Sequence, residues 1–344
     1  MKIVVTSFYL PPTDRIGAGV QLHMIANAYV RLGHEVTVVS PSCIRDPNAL
    51  YELETVKISG YNRILKWAIA LSRHTFHADL VHFGGDDFLV PSHQKFCHIR
   101  TFMGSCLAEA RVATTSRDRL RMTYLGLTEV VSSMRFPIST VISQDTNRYL
   151  ARRCEVIPCG VDLQQFVPGA RKCDQPAILF VGTLDSRKRG RELLRQFGET
   201  IRKQIPDAEL WIVRENEQVN QPGVTVFGSV SHEKLVDLYQ RAWVFCLPSS
   251  YEGFGVPYIE SMACATPVVA TPNPGAMEVL EGGKYGIISD IDQIGKALVL
   301  LLSDKCRRDA LSNLALNRAR TYDIHRVAQR YIDLATIQST NRRV

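Results

Sequence analysis

The feature that most constrains this chain is a strand–helix alternation that begins twice. The first series opens at KIVVTSFY and continues through a helical VQLHMIANAYVRLGH to the strands EVTVVSP, DLVHFG, KFCHIRT and STVIS. The second opens at AILFVGTL, Ala177–Leu184, and continues through ELLRQFGETIRKQ, AELWIVRE, VTVFG, HEKLVDLYQRA, WVFCLPSS, IESMACA, TPVVATP and YGIISD. Apolar residues run almost without interruption through these strands. That is the pattern of parallel strands covered on both faces by helices. Two such series predict two doubly wound α/β domains. A chain of 344 residues is too long for one such domain and suits two. In the first helix, Val20, Met24, Ala28, Val30 and Leu32 are expected to share one broad face, with Gly33 as its stop.

The segment IPCGVDLQQFVPGARK is rich in Pro, Gly and polar residues and marks the linker. The expected division is residues 1–165 and 166–324, with a last helix over about 325–340 able to pack back on the first domain. Nine cysteines are scattered with no C-x-x-C pair, which predicts reduced thiols in a cytoplasmic setting. The opening apolar run reads as a strand and not as a signal peptide, and no run reaches the length of a membrane span.

The net charge of +7 is unevenly spread. Residues 100–172 hold 11 basic and 6 acidic side chains, and Arg111–Tyr124 holds four arginines against one aspartate. The plain reading of that patch is a solvated helix face. The sharper one is a surface for anionic lipid headgroups, peripheral on a membrane, or for an anionic acceptor. Nucleic acid is not expected, because no aromatic–basic interleaving accompanies the patch.

Three loops carry chemistry. Gly17-Ala18-Gly19 lies between the first strand and its helix, where backbone N–H groups and the helix dipole suit a phosphate. A nicotinamide fingerprint would want a third glycine at Leu22 and an acid after strand two, where Ser40-Pro41 stands instead. The turn from Gly182 to Lys188 follows the first strand of the second series, at the end of a parallel sheet where ligands bind. Arg187 and Lys188 there can neutralise a diphosphate. The third loop is Ser250–Ala263, with Glu252 and Glu260 on either side of Gly253-Phe254-Gly255. Glu260 is expected in the first turn of a helix, accepting two ribose hydroxyls. Glu252 is expected at a strand end beside a sugar ring, and the Gly-Phe-Gly amides beside phosphate oxygens or the sugar. Asp86-Asp87 reads as a loop end with solvated carboxylates and not as a metal site.

These residues resemble the family 4 retaining glycosyltransferases, also called glycosyltransferase group 1, over nearly the whole chain. The resemblance is strongest in VGTLDSRK and in SSYEGFGVPYIESMACATPVVAT, and extends to IPCGVDLQQFVP and the opening glycine loop. It implies the GT-B fold, two Rossmann-like domains facing across a cleft, and a metal-independent hexosyltransferase without cofactor. It implies that Glu252 contacts the donor sugar, Glu260 the ribose, and Arg187 with Lys188 the diphosphate. Gly182, Gly253, Phe254 and Gly255 complete the donor side, Gly19 faces the phosphate from the first domain, and His98 becomes the acceptor-side catalytic candidate. Of the family's V-H-x-H, only His82 is kept. Cys159 stands where asparagine is usual, and Ala265 where glycine is usual. The expected partners are a nucleotide-sugar donor and a glycan, lipid-linked or small-molecule acceptor, in cell-surface glycan or glycolipid assembly. An epimerase or phosphorylase on the same scaffold, glycosylation of a small natural product, and a non-catalytic subunit are the competing readings.

Overall fold

The computed structural model describes residues 1–14, 16–91, 96–113, 115–136, 138–214 and 218–341. Of the spans read from sequence, Arg15, Lys95, Thr114 and Glu215 lie outside the described residues. The chain forms two compact units. Unit 1 is Met1–Gly160 with Ile324–Val344, and unit 2 is Val161–Asp323, against an expected boundary between residues 165 and 166.

Unit 1 runs β1 (Lys2–Thr6), α1 (Gly17–Arg31), β2 (Glu35–Ser40), β3 (Glu52–Thr55), α2 (Arg63–Arg73), β4 (Leu80–Phe83), β5 (Cys97–Phe102), α3 (Cys106–Val112), α4 (Ser116–Arg135), β6 (Ser139–Val141), α5 (Gln144–Asn147) and β7 (Glu155–Val156). The strand order is β3-β2-β1-β4-β5-β6-β7, with parallel pairing throughout. Successive residues of β1 serve opposite faces, as the period of a strand requires. Ile3 and Val5 enter a core with Leu22, Ile25 and Tyr29 of α1, while Val4 enters a second core with Trp67 and Leu71 of α2. A sheet buried on both faces has no place for alternating polar residues, hence the unbroken apolar runs.

The face of α1 differs from the expected one. Leu22, Ile25, Ala26, Ala28 and Tyr29 are buried, whereas Met24, Val30 and Leu32 only flank the core. The helix has rotated so that Tyr29 reaches the sheet, where its hydroxyl and His82 Nδ1 lie 2.9 Å apart.

Unit 2 runs β8 (Ala177–Val181), α6 (Gly190–Gln196), a π turn over Phe197–Ile201, α7 (Arg202–Gln204), β9 (Glu209–Val213), β10 (Val224–Val226), α8 (His232–Arg241) and β11 (Val244–Leu247). It continues with α9 (Val256–Ala263), β12 (Val268–Ala270), α10 (Pro274–Val279), β13 (Ile287–Ile288), α11 (Ile294–Ser303) and α12 (Lys305–Ala319). Its order, β10-β9-β8-β11-β12-β13, is again all parallel and reverses beside β8. At such a switch point the loops leaving β8 and β11 diverge to opposite faces, and the crevice between them receives ligands.

The last helix, α13 (Ile324–Asn341), belongs to unit 1 and packs along α1. Val327, Ala328, Tyr331 and Ile332 complete the core begun by Ile3 and Leu22. The Tyr331 ring lies 4.6 Å from that of His82, and its hydroxyl bonds Thr101 and Thr140. Burial, together with the Arg100 charge, pushes the His82 imidazole down to about 3, so it is a neutral bridge between Tyr29 and Thr101. His82 is thus a core histidine. Among the described residues no helix is long and apolar enough to cross a membrane.

Candidate active site

In unit 2, the loops leaving β8 and β11 bring four of the expected residues together. Gly182 has φ +152°, and a Cβ there would sit 2.4 Å from Lys188 Cδ. Only glycine lets the Lys188 stem fold back over the start of the turn. The turn is tied to the β11 loop by the Ser250 amide, which donates to the Arg187 carbonyl at 2.7 Å. Arg187 also donates to the Tyr251 carbonyl. The Glu252 carboxylate then receives Arg187 Nη1 at 2.9 Å and Lys188 Nζ at 3.4 Å on the same Oε1. The Ser249 hydroxyl donates to that oxygen at 2.8 Å.

Glu252 is only 8% exposed, against 34% for Arg187 and 20% for Lys188. Burial alone would raise its carboxyl. The Lys188 and Arg187 charges and the Ser249 hydroxyl outweigh burial and hold it below the usual carboxylate range. Glu252 is therefore an anion at neutral pH and the counter-ion of both cations.

A supporting layer under Glu252 went unnoticed in the sequence. Asn273 donates to the Ser249 carbonyl at 3.2 Å and to the Thr271 carbonyl at 3.0 Å, while its Oδ1 caps α10 through the Ala276 amide. Thr271 donates to the Ser249 carbonyl at 2.7 Å. The Gly275 amide donates to the Glu252 carbonyl, and a Cβ on Gly275 would meet the Phe254 carbonyl oxygen at 2.5 Å. The signal for this layer was the string TPNPG after β12, an Asn-Pro helix start aimed back at the β11 loop.

Phe254 packs its ring against Tyr322 at 5.6 Å and is buried, so of the Gly-Phe-Gly turn only the backbone is available to a ligand. Gly253 is half-buried. Gly255 has φ +93° and precedes α9 with no side-chain cap; Pro257 in the first turn has no N–H, and the Tyr258 amide donates to the Gly255 carbonyl at 2.9 Å. Glu260 stands one turn further on than expected. α9 begins at Val256, so Glu260 is its fifth residue, and the first turn holds no acid. Its Oε2 accepts from the Tyr239 hydroxyl at 3.0 Å. Burial raises its carboxyl to about 7, against the opposing effects of Tyr239 and Lys188. Ala265, where the family resemblance leads to glycine, is left-handed with φ 52°. A glycine at this position would adopt that conformation without the Cβ strain.

The unit 1 candidates fare differently. Gly19 is buried, and a Cβ there would meet the Tyr9 carbonyl oxygen at 2.4 Å. Its lack of a side chain serves a contact within the chain and not a phosphate-facing surface. The open backbone is at Gly17, which has nothing near its Cβ position, and α1 starts there without a side-chain cap. His98 is the second residue of β5, fully buried, with its ring edge-on to Phe136 at 5.2 Å. Ligands meet parallel sheets at the carboxyl ends of strands. His98 lies towards the amino end of β5, so the acceptor-side assignment is not met.

The carboxyl ends of β4 and β5 hold other groups. Asp87 is fully buried, paired with Arg100 Nε at 3.0 Å and accepting from Ser132 at 3.0 Å, which corrects the solvated reading. Asp86, at φ 58°, is raised to about 6, mainly by burial. Glu129 of α4 is raised to about 7 by burial and accepts from the Cys106 amide at 3.0 Å. Among the described residues, no group of three or more His, Cys, Asp or Glu is arranged to hold a metal ion.

Residues 175–304 match the family model described as glycosyl transferases group 1. A D-inositol 3-phosphate glycosyltransferase of Corynebacterium urealyticum is 28% identical over 215 residues, 53% of this chain and 50% of that protein. The chain thus spans about half the length of the curated relatives it matches. Among solved structures, sucrose-phosphate synthase from Thermosynechococcus elongatus aligns over 99% of both chains with TM-score 0.81 and 20% identity. Anabaena Alr3699/HepE, solved in complex with UDP and glucose, aligns over 98% of this chain and 99% of that one, with TM-score 0.75 and 15% identity. At these identities the structures establish the fold. Residues 175–304 are thus similar to group 1 glycosyl transferases, and the fold of the chain is GT-B.

Proposed function

We propose that this protein transfers a hexose-type sugar from a nucleotide-sugar to an acceptor hydroxyl, with retention at the anomeric carbon and without a metal ion. The observation that carries the reading is the Arg187–Glu252–Lys188 cluster at the switch point of unit 2. A diphosphate leaving group needs two fixed cations where charge develops, and a sugar hydroxyl needs a fixed anion.

In this account the diphosphate takes the two cations. Glu252, still held by Ser249, turns its carboxylate to the sugar hydroxyls. The bond from the anomeric carbon to the phosphate oxygen breaks, and the bond to the acceptor oxygen forms on the same face. The acceptor proton passes to a phosphate oxygen of the leaving group. Glu260 accepts the ribose hydroxyls once ionised. His98 has no role, given its position in β5. The exposed arginines of α4 favour an acceptor in cell-surface glycan or glycolipid assembly.

The test is Lys188→Ala with whichever donor the protein accepts. Turnover is expected to fall about 10²-fold with the circular dichroism unchanged, and the anomeric configuration of the wild-type product, read by NMR, should match that of the donor. An unaltered rate, or an inverted product, would sink the reading.

A further inference from the structure

Unit 1 contains a cavity of about 740 Å³ that the donor site does not use, a volume within the usual range for small-molecule sites. It opens where β1 ends. Phe8 and Tyr9, the residues after the strand, form one wall, the start of α2 with Leu65 a second, and Tyr124 with Leu125 of α4 a third. The lining is mostly aromatic and aliphatic, with two cations, Arg63 and Arg121. Both are held by aromatic side chains. The Arg63 guanidinium lies 5.3 Å from the centre of the Phe8 ring, and Arg121 bonds the Tyr9 side chain. An arginine so placed keeps donors free for an anion while its plane stays fixed.

The second observation is α4 itself. Its buried residues are Gly126, Ser132 and Ser133. Gly126 has no room for a Cβ, which would lie 2.4 Å from Leu107 Cγ, so α4 sits close on α3 through its small face. The opposite side carries Leu120, Tyr124, Leu127, Val131 and Met134, all exposed, spaced four, three, four and three residues apart. That spacing is a single stripe along a helix. A solvated face would show the reverse pattern. Tyr124 belongs both to the stripe and to the cavity wall, so the apolar path leaves the cavity and continues along α4. Arg117, Arg119 and Arg121 border its first turns against the one acid Asp118.

We infer that this cavity binds an amphiphilic anionic acceptor, its apolar chain lying against Phe8, Tyr124 and the α4 stripe and its anionic group held by Arg63 and Arg121. The inference rests on the reading of the chain as a glycosyltransferase and names the class of acceptor that reading left open. A concave cleft of this volume fits one molecule. A flat bilayer contact would need the stripe alone and would leave the cavity without a purpose.

The experiment is titration calorimetry of the full chain with n-decyl phosphate, kept below its micelle concentration. Inorganic phosphate, n-decyl maltoside and phosphatidylglycerol vesicles are the comparison arms. The prediction is saturable binding of decyl phosphate, no measurable heat with inorganic phosphate, and binding of the maltoside at least about tenfold weaker, from the loss of the charge-assisted contacts to Arg63 and Arg121. Arg121→Glu and Tyr124→Asp, both at exposed positions, should each weaken decyl phosphate binding at least about tenfold. Nucleoside diphosphate binding by the same variants reports on unit 2. If it persists while decyl phosphate binding is lost, the cavity is assigned. Binding to vesicles but not to monomeric decyl phosphate, or equal binding by wild type and both variants, would overturn the inference. Failure of nucleotide binding in the wild type would instead count against the glycosyltransferase reading itself.

Discussion

Replacing Glu252 by Gln keeps the side chain's shape and its Ser249 hydrogen bond but removes the charge that Arg187 and Lys188 share. Leaving buried partners without a counter-ion costs about 3–5 kcal/mol at a fully desolvated site. Arg187 is 34% and Lys188 20% exposed, so water screens part of that, and the expected destabilisation is about 1–2 kcal/mol. The unfolding midpoint should drop by roughly 2–8 °C. A bound diphosphate supplies the missing negative charge. Nucleoside diphosphates should therefore bind the variant about 5–30-fold tighter than the wild type, while sugar transfer falls about 10²-fold because the anion beside the sugar is gone. The assay is thermal unfolding of both proteins across titrations of UDP, GDP and ADP. A variant as stable as the wild type in buffer, with no larger gain on nucleotide, would refute the idea that Glu252 is the resident counter-ion of the diphosphate site.

Three further outcomes follow from the same geometry. The Glu260 carboxyl is raised by burial to about 7, so nucleotide affinity should rise between pH 6 and 8 as it ionises, and Glu260→Gln should flatten that profile. With its folded value above the ordinary carboxylate range, Glu260 contributes stability at low pH that is lost as pH rises through about 7. Ala265→Gly should stabilise unit 2 by about 0.5–1 kcal/mol by relieving φ 52°, and a lower denaturation midpoint would contradict that. Tyr331→Phe removes the hydroxyl that bonds Thr101 and Thr140. Chemical denaturation of the variant should show a loss of about 1–2 kcal/mol, with amide exchange in α13 increased relative to β8.

Much of the architecture was legible because buried parallel strands leave a plain trace. AILFV and VFCL are apolar throughout, and both became central strands beside the switch point. The strand ELET left no such trace. It sits at the sheet edge and is mostly exposed, so nothing in its composition demanded burial. The face of α1 was misjudged for a related reason. Its apolar residues cover more than half the helix circumference, and only the docking of Tyr29 against His82 selects one side.

In the candidate site, the glutamate pair and the basic turn were readable from local spacing, because each lies beside a glycine that turns the chain. Glu260 was placed a turn too early because the helix starts after Gly255. His98 was misplaced because an apolar strand does not announce which end faces ligand, and β5 begins just before it. Asp87 looked solvated because its partner Arg100 sits on the neighbouring strand, a pairing no local window contains. Gly19 and Gly17 look alike in sequence, yet only contact with the Tyr9 carbonyl separates the structural glycine from the open one.

The most direct test of the central claim is a thermal-shift panel of UDP-, GDP-, ADP- and dTDP-sugars in the presence of EDTA, with wild type and Lys188→Ala side by side. The account predicts that one nucleotide selectively stabilises the wild type without metal, since a ligand bound only by the native state raises its stability, and that the shift largely disappears in Lys188→Ala. No shift with any donor, or a shift that survives the loss of Lys188 unchanged, would contradict it.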